Sequence, residues 1–551
     1  MEGTMGLSGA ELFVGCLEAQ GVEVIFTVPG ASIDPILDVL VDHGPKIILC
    51  RHEQNAAFMA QAYGRITGKP GVCLATAGPG LTNLVTGIAT AWSERSPVVA
   101  ITGQLPSAMQ YKRAHQNIDA VGLFRPITKW NCEISHVESV PDAVATAFRL
   151  ASAPQEAPTH ISIPSDVLKM ESGARPITPH PYPLGRATED TIREAAERIK
   201  GAKNPVLLLG LAAGKAHVTA GLRPFLERFE VPICATFEAA GAVPRKLVHR
   251  FMGRLGVFKN QPGDKVLDAA DLVIAIGFDP VEYDPSIWNK GLKRTLIHID
   301  EVAAQADQYY QPDIELVGDI PTNLKRLADT LGEQKGTLPD AAQKAKRELD
   351  SQLERGKSLS GTPIHPLRLI YELRQILDDT VTVVSDVGSH QYWMMRHFFC
   401  YEAAHLLTSM GFQTMGISIP YAIAATLARP GTKAVSISGD GSFLMCSMEL
   451  ETAVRLKSPI IHLVWEDAAY DLVRIQQLQK YGRDSAAHFG QIDTVKYAES
   501  MGAKGMRLER PDQIESTLKA ALAAEGPVVI SVPIDYSENA EIVRLAHTGG
   551  A

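Results

Sequence analysis

The run Lys433-Ala-Val-Ser-Ile-Ser-Gly439-Asp440-Gly441-Ser442 limits what this chain can fold into more than any other stretch. It reads as a strand of small and β-branched residues that stops at Gly-Asp-Gly. A helix-like segment follows, Met448 to Leu456, and then a second apolar strand from Ile460 that runs on to Asp467. Strand, helix and strand in this order form a βαβ unit, whose crossover sets the two strands parallel with their C-terminal ends side by side. Asp440 and Asp467, 27 residues apart, are thereby brought to one sheet edge. Two hard carboxylates suit Mg²⁺, which takes one or two of them together with phosphate oxygens and water. The amides of Gly441 and Ser442, at a helix start beside Gly439, suit the phosphates themselves.

With 551 residues the chain is too long for one core, and ordinary domain sizes predict about three domains. Strand patterns recur in three blocks, each alternating with amphipathic stretches. The first has Val24–Val28, Ile47–Cys50, Gly71–Thr76, Val98–Thr102 and His160–Ile163. The second has Val206–Gly210, Ile233–Thr236, Leu272–Ile276 and Thr295–Ile299. The third has Thr380–Val384, Ala434–Ser438, Ile460–Val464 and Val528–Val532. The expected fold class is α/β, three doubly wound domains with mostly parallel sheets, over residues 1–185, 186–340 and 341–551. A linker bearing Pro176, Pro179, Pro181 and Pro183 separates the first two, and a charged helical connector, Ala341 to Lys357, leads into the third.

Bulk properties narrow the setting. A net charge of −9 gives no reason to expect nucleic acid or a membrane surface as partner. Seven cysteines without paired spacing point to reduced thiols. The segment from Met1 to Ala10 lacks the basic and apolar regions of a signal peptide, and no apolar run is long enough to span a bilayer. A cytoplasmic location is expected.

The Gly-Asp-Gly strand with its acidic partner strand end resembles the diphosphate-binding motif of thiamine diphosphate (ThDP) enzymes. The first block agrees independently. Arg51-His52-Glu53-Gln54-Asn55 looks like the segment with that family's cofactor-activating glutamate. Thr76-Ala77-Gly78-Pro79-Gly80-Leu-Thr-Asn83 looks like its pyrimidine-side glycine loop, and Val28-Pro29-Gly30 like its early turn. The resemblance covers the whole chain and implies pyrimidine-binding, central and diphosphate-binding domains.

Within the superfamily the chain is most similar to the catabolic, FAD-independent acetolactate synthases. Lys112-Arg-Ala-His115-Gln116, Gly253-Arg-Leu-Gly-Val-Phe-Lys-Asn-Gln261 and Ile276-Gly-Phe-Asp-Pro-Val-Glu-Tyr-Asp-Pro285 carry this likeness. Biosynthetic relatives have an Arg-Phe-Asp-Asp-Arg segment associated with FAD where this chain has Gly277-Phe278-Asp279-Pro280-Val281, so no FAD is expected. The implied reaction joins two pyruvates into 2-acetolactate. An acceptor other than pyruvate, a different 2-oxo acid or an aldehyde, stays open, as does a non-catalytic ThDP-binding subunit.

Roles follow by resemblance. Glu53 bonds the aminopyrimidine, Met415 is the apolar wedge between the cofactor's rings, and the Gln413 carbonyl accepts from the 4′-amine. Gly388, Ser389 and His390 contact the diphosphate. Asp440, Asp467 and the carbonyl of Ala469 hold Mg²⁺, with Tyr470 beside them. Gln116 and His115 either lie near the substrates or serve structure. Gln476 replaces a tryptophan that favours 2-ketobutyrate as acceptor. The family places its cofactor between subunits, which implies a homodimer or homotetramer. Two departures stand out: Asp467-Ala468-Ala469-Tyr470 replaces a run ending Asn-Gly-Tyr, and Arg474 stands where catabolic relatives are small and apolar.

Overall fold

Three six-stranded sheets, every neighbouring pair of strands parallel, organise the computed structural model, which describes residues 6–291, 293–334 and 336–543. The first five residues of the N-terminal segment, and the last eight of the third expected domain, lie outside the described residues. In the C-terminal sheet the order is Leu406–Leu407, Thr382–Ser385, Ala434–Gly439, Ile460–Glu466, Val528–Pro533 and Lys504–Arg507. The strands bearing Asp440 and Asp467 are neighbours, in register from Ala434 opposite Ile460 to Gly439 opposite Trp465. Helices cover the sheets on both faces, so central strands are buried throughout and appear in the sequence as continuous apolar runs.

The strands that sequence patterning overlooked are all sheet edges. Trp130–Glu133 closes the N-terminal sheet, Phe251–Leu255 and Ile314–Val317 flank the central one, and Leu406–Leu407 and Lys504–Arg507 flank the C-terminal one. An edge strand pairs on one side only, so it is held by its neighbour's backbone with less need of an apolar run. The expected helix after Gly-Asp-Gly also differs. It starts at Asp440 itself, runs to Cys446, breaks in a 3₁₀ turn, and resumes at Leu450–Arg455. The expected connector is the helix Asp340–Ser358.

The N- and C-terminal domains meet through two helices, Glu53–Thr67 and Ser418–Ala428. Both are rich in alanine, which lets their axes approach closely, and Phe58 meets Tyr421 edge-on at 6.5 Å. Buried Glu449 of the C-terminal domain accepts from the amides of Arg51 (2.8 Å) and His52 (3.2 Å) and from Asn55 Nδ2 (3.1 Å). A carboxylate at a helix N-terminus satisfies free amides and complements the helix dipole. Among the described residues no helix is long and apolar enough to cross a membrane, and none of the seven cysteines is in a disulfide.

The helix Glu53–Thr67 is seated on its own sheet at Gly71, where an added methyl carbon would lie 1.9 Å from the Ala60 carbonyl oxygen. Gly71→Ala is expected to lower stability by about 1–3 kcal/mol through overpacking. Gly201→Ala, where nothing lies within 4 Å, leaves it unchanged. Denaturant titration of the two variants checks this.

Candidate active site

Two half-sites form at the C-terminal ends of parallel strands, one in each outer domain. In the first, Glu53 opens its helix and is nearly buried, and Asn83 Nδ2 donates to its Oε2 at 2.9 Å. Gly80 faces the other carboxylate oxygen, and a methyl carbon there would stand 3.2 Å from Glu53 Oε1. Its lack of a side chain leaves that oxygen approachable. Gly78 has φ 67° and ψ −116°, a backbone that a side chain would strain, and it caps the helix Pro79–Ser93. A Cβ on Gly78 would also meet Gln116 at 2.7 Å, and one on Gly30 would meet Thr76 at 2.5 Å. Pro29, Gly30, Thr76, Gly78, Pro79, Asn83, Glu53 and Gln116 thus form one cluster, whereas His115 is an exposed loop residue. Sequence reasoning missed Ser32. Its hydroxyl lies 2.8 Å from that of Thr76 and accepts from the Ala77 amide at 2.9 Å, fixing the glycine loop.

The second half-site is a cavity of about 260 Å³ lined entirely by the C-terminal domain. It gathers Gly388, Ser389, His390, Gln413, Met415, Gly439, Gly441, Ser442, Asp467, Ala469, Tyr470 and Gln476, all named from sequence. Asp440 stands behind this wall. Its Oδ2 accepts from the amides of Ala468 (2.7 Å) and Asp467 (3.2 Å), and its Oδ1 from that of Gly441 (3.0 Å). Burial pushes Asp467 up to about 8, and the charges of Asp440 and Asp471 add to this. A cation between the two strand ends would reverse that effect. Ala469 does not carry the positive φ of this strand end; Ala468 does, at 56°.

Three more polar residues escaped the sequence reading, Asp471 and Tyr536 on the cavity wall and Asp386 next to Val387 of that wall. Asp386, fully buried, accepts from the amides of Val387 (2.8 Å), Gly416 (2.9 Å) and Ser418 (2.9 Å), so one carboxylate staples the loop bearing Gln413 and Met415 to a strand end. Burial pushes its carboxyl up, and those hydrogen bonds pull it back. Asp471 accepts from Ser389 Oγ (2.7 Å) and from Arg474 Nη1 (3.0 Å). Tyr536 lines the cavity with its hydroxyl unpartnered. A signal for Asp386 existed: it ends a strand as Asp440 does. Tyr536 has none, because only the tertiary fold brings its segment there, whereas Asp471 directly follows Tyr470 and so adjoined a segment already named.

The donor set suits an anionic phosphate ligand with its metal. His390 Nε2 and the Tyr536 hydroxyl are buried polar atoms without partners on the cavity wall, and burial holds His390 down to about 3, hence neutral. Glycine makes the space: a Cβ on Gly441 would meet the Tyr470 ring at 2.6 Å. No cluster of three or more metal-binding side chains occurs among the described residues, so a metal here would rest on two carboxylates, a carbonyl and the ligand's own oxygens.

Comparison with known proteins agrees with this architecture. The family models described as thiamine pyrophosphate enzyme, N-terminal TPP binding domain, central domain and C-terminal TPP binding domain match residues 7–123, 192–327 and 386–532. The chain is 48% identical over 536 residues to the acetolactate synthase of Bacillus subtilis, covering 96% of this chain and 94% of that protein. It is 42% identical to the catabolic acetolactate synthase of Raoultella terrigena, covering 98% and 97%. It is 32% identical to the acetolactate synthase isozyme 2 large subunit of Escherichia coli, covering 97% and 96%. With three matched domains in the family's order and likeness along nearly its full length, the chain is an enzyme of the acetolactate synthase family of thiamine pyrophosphate enzymes.

Proposed function

We propose that the enzyme condenses two pyruvates to 2-acetolactate and carbon dioxide, as a catabolic-type acetolactate synthase. ThDP and Mg²⁺ are its cofactors, without FAD, and it works in the cytoplasm as an assembly of at least two chains. The observation that carries this reading is the pair of half-sites: a buried glutamate behind a glycine loop, and a cavity of about 260 Å³ at the strand ends that bear Asp440 and Asp467. When bound, ThDP supplies the carbon nucleophile and the electron sink for decarboxylation. Glu53, oriented by Asn83, holds a proton at the pyrimidine nitrogen. Met415 and Gln413, fixed through Asp386, orient the rings from the cavity wall. Tyr536 and His390, on the cavity wall, would offer polar atoms to the bound diphosphate, with Leu472 beside them as an apolar wall.

In one chain the cavity receives no residue from the first half-site, which supports closure by a second copy, as a homodimer or homotetramer. Two observations support a pyruvate-only acceptor. Gln476 is on the cavity wall, and Arg474, whose charge could have recruited another acid, is held by Asp471 at 3.0 Å and Asp484 at 3.5 Å. The no-FAD reading is supported by the cleft at the central strand ends. There Gly277-Phe278-Asp279-Pro280-Val281 presents no arginine, and Asp279 is paired with Arg95 at 3.1 Å.

Incubation with pyruvate, ThDP and Mg²⁺ is expected to give 2-acetolactate, and Glu53→Gln is expected to slow it about 10²–10⁴-fold. Absence of acetolactate, or unaltered turnover in the variant, sinks the assignment. Because Asp467 is pushed up to about 8, Mg²⁺ displaces a proton below that pH. Apparent Mg²⁺ affinity of the cofactor-free protein is therefore expected to rise toward about tenfold per pH unit between pH 6 and 8 and then level off, as read by calorimetry. Ala468→Gly removes the side chain from a left-handed backbone and is expected to stabilise the protein by about 1 kcal/mol in a denaturation curve.

A further inference from the structure

A cavity of about 680 Å³ lies where the central domain, the connector helix Asp340–Ser358 and the C-terminal domain meet, away from both half-sites. Its walls include Arg254, Gln352, Arg355, Arg396 and His397, with two carboxylates at the rim, Glu538 and the exposed Glu541, both acting on Arg355. Arg355 is neutralised by Glu538. The other two guanidinium groups are not neutralised in this way. Arg396 is 8% exposed. Its Nη2 donates to Asn260 Oδ1 at 2.8 Å, and its Nε is buried without a partner. The carboxylate that acts on it most, Asp264, already accepts from the Tyr283 hydroxyl (2.7 Å) and the Gln261 amide (2.8 Å). Arg254 is 2% exposed. It donates only to the carbonyls of Met395 and Phe398, so it caps the helix Ser389–His397 while its charge stays unbalanced. Neither arginine forms an ion pair with a carboxylate among the described residues.

Buried guanidinium groups are ordinarily paired, because an uncompensated charge out of water is costly. Here the wall carboxylates Glu538 and Glu541 act on Arg355, no described carboxylate pairs with Arg254 or Arg396, and space for an anion is present. Guanidinium donors fit the oxygens of phosphate closely. His397 is neutral, since burial and the nearby arginines hold it down to about 3. Its Nδ1 lies 3.0 Å from the Trp393 carbonyl and donates to it, which leaves Nε2 to accept the proton of a hydrogen phosphate.

We propose that this cavity is a binding site for a phosphate group, with Arg396 as its principal ligand and Arg254 supplying field. The group is either inorganic phosphate or the end of a small phosphate monoester. The test is calorimetry on the holoenzyme, loaded with ThDP and Mg²⁺ so that the diphosphate cavity is filled, at constant ionic strength in chloride. Inorganic phosphate is expected to bind at one site per chain, and Arg396→Gln is expected to weaken it at least tenfold with pyruvate turnover kept. Gln352→Glu, a half-exposed position on the connector helix, places a carboxylate on the cavity wall and is expected to weaken binding similarly. It carries the test should Arg396→Gln not fold. Tighter binding of glycerol phosphate than of phosphate identifies a monoester, and equal binding identifies the free ion. No saturable binding to the holoenzyme, or folded variants that bind as the wild type does, overturns the proposal.

Discussion

The packing of helix Glu53–Thr67 on helix Ser418–Ala428 is the constraint on which the rest of the molecule depends. Each helix begins at or just beyond a residue of a half-site, Glu53 in one case and the Met415–Gly416 turn in the other. Their contact therefore fixes how the N-terminal and C-terminal TPP binding domains stand to one another. Small side chains bring the backbones close, and interiors packed to crystal-like density do not slide. Glu449 locks the start of the first helix from across the interface, and Asp386 locks the start of the second. Both are buried carboxylates answering backbone amides, an arrangement that orders a chain terminus without a long side chain's loss of freedom.

At the far end of the first helix the same contact is held by charge. Arg65 sits between Glu94 and Glu238 and also donates to the Thr408 carbonyl at 2.9 Å, so one guanidinium touches all three domains. Burial pushes Glu94 up to about 8, with the Glu238 charge adding to it. One positive charge cannot balance two carboxylates, and near neutral pH the cluster keeps a proton. Ser409 donates to Glu94 and accepts from the Thr414 amide at 3.1 Å, and the Thr414 hydroxyl meets that of Thr90 at 2.7 Å. The loop bearing Gln413 and Met415 is thus tied to the N-terminal domain at its base and stapled by Asp386 at its end.

Much of this was legible in the chain because it rests on local signals. Central strands announce themselves by apolar runs, and Gly-Asp-Gly followed by Asp467 could be placed on neighbouring strand ends from the crossover rule alone. Edge strands such as Trp130–Glu133 carry no such run. The residues that escaped, Ser32, Asp471 and Tyr536, act through contacts set by tertiary packing; Asp471 adjoins the run from Asp467 to Tyr470, yet its partner Ser389 is 82 residues away. Ala468 is instructive in another way. The missing glycine at Ala469 drew attention to the right strand end, yet the left-handed backbone falls one residue earlier, at Ala468.

The unpartnered atoms of the diphosphate cavity bear on folding as well as catalysis. The protein buries His390 Nε2 and the Tyr536 hydroxyl without partners and sets Asp467 beside the charge of Asp440. Whatever fills that cavity completes the interior as a missing core fragment would. A ligand held at a hundred times its dissociation constant adds about 2.7 kcal/mol to the folded state. Cofactor binding is thereby coupled to the stability of the fold, so that the ligand which serves the chemistry also holds the two strand ends together.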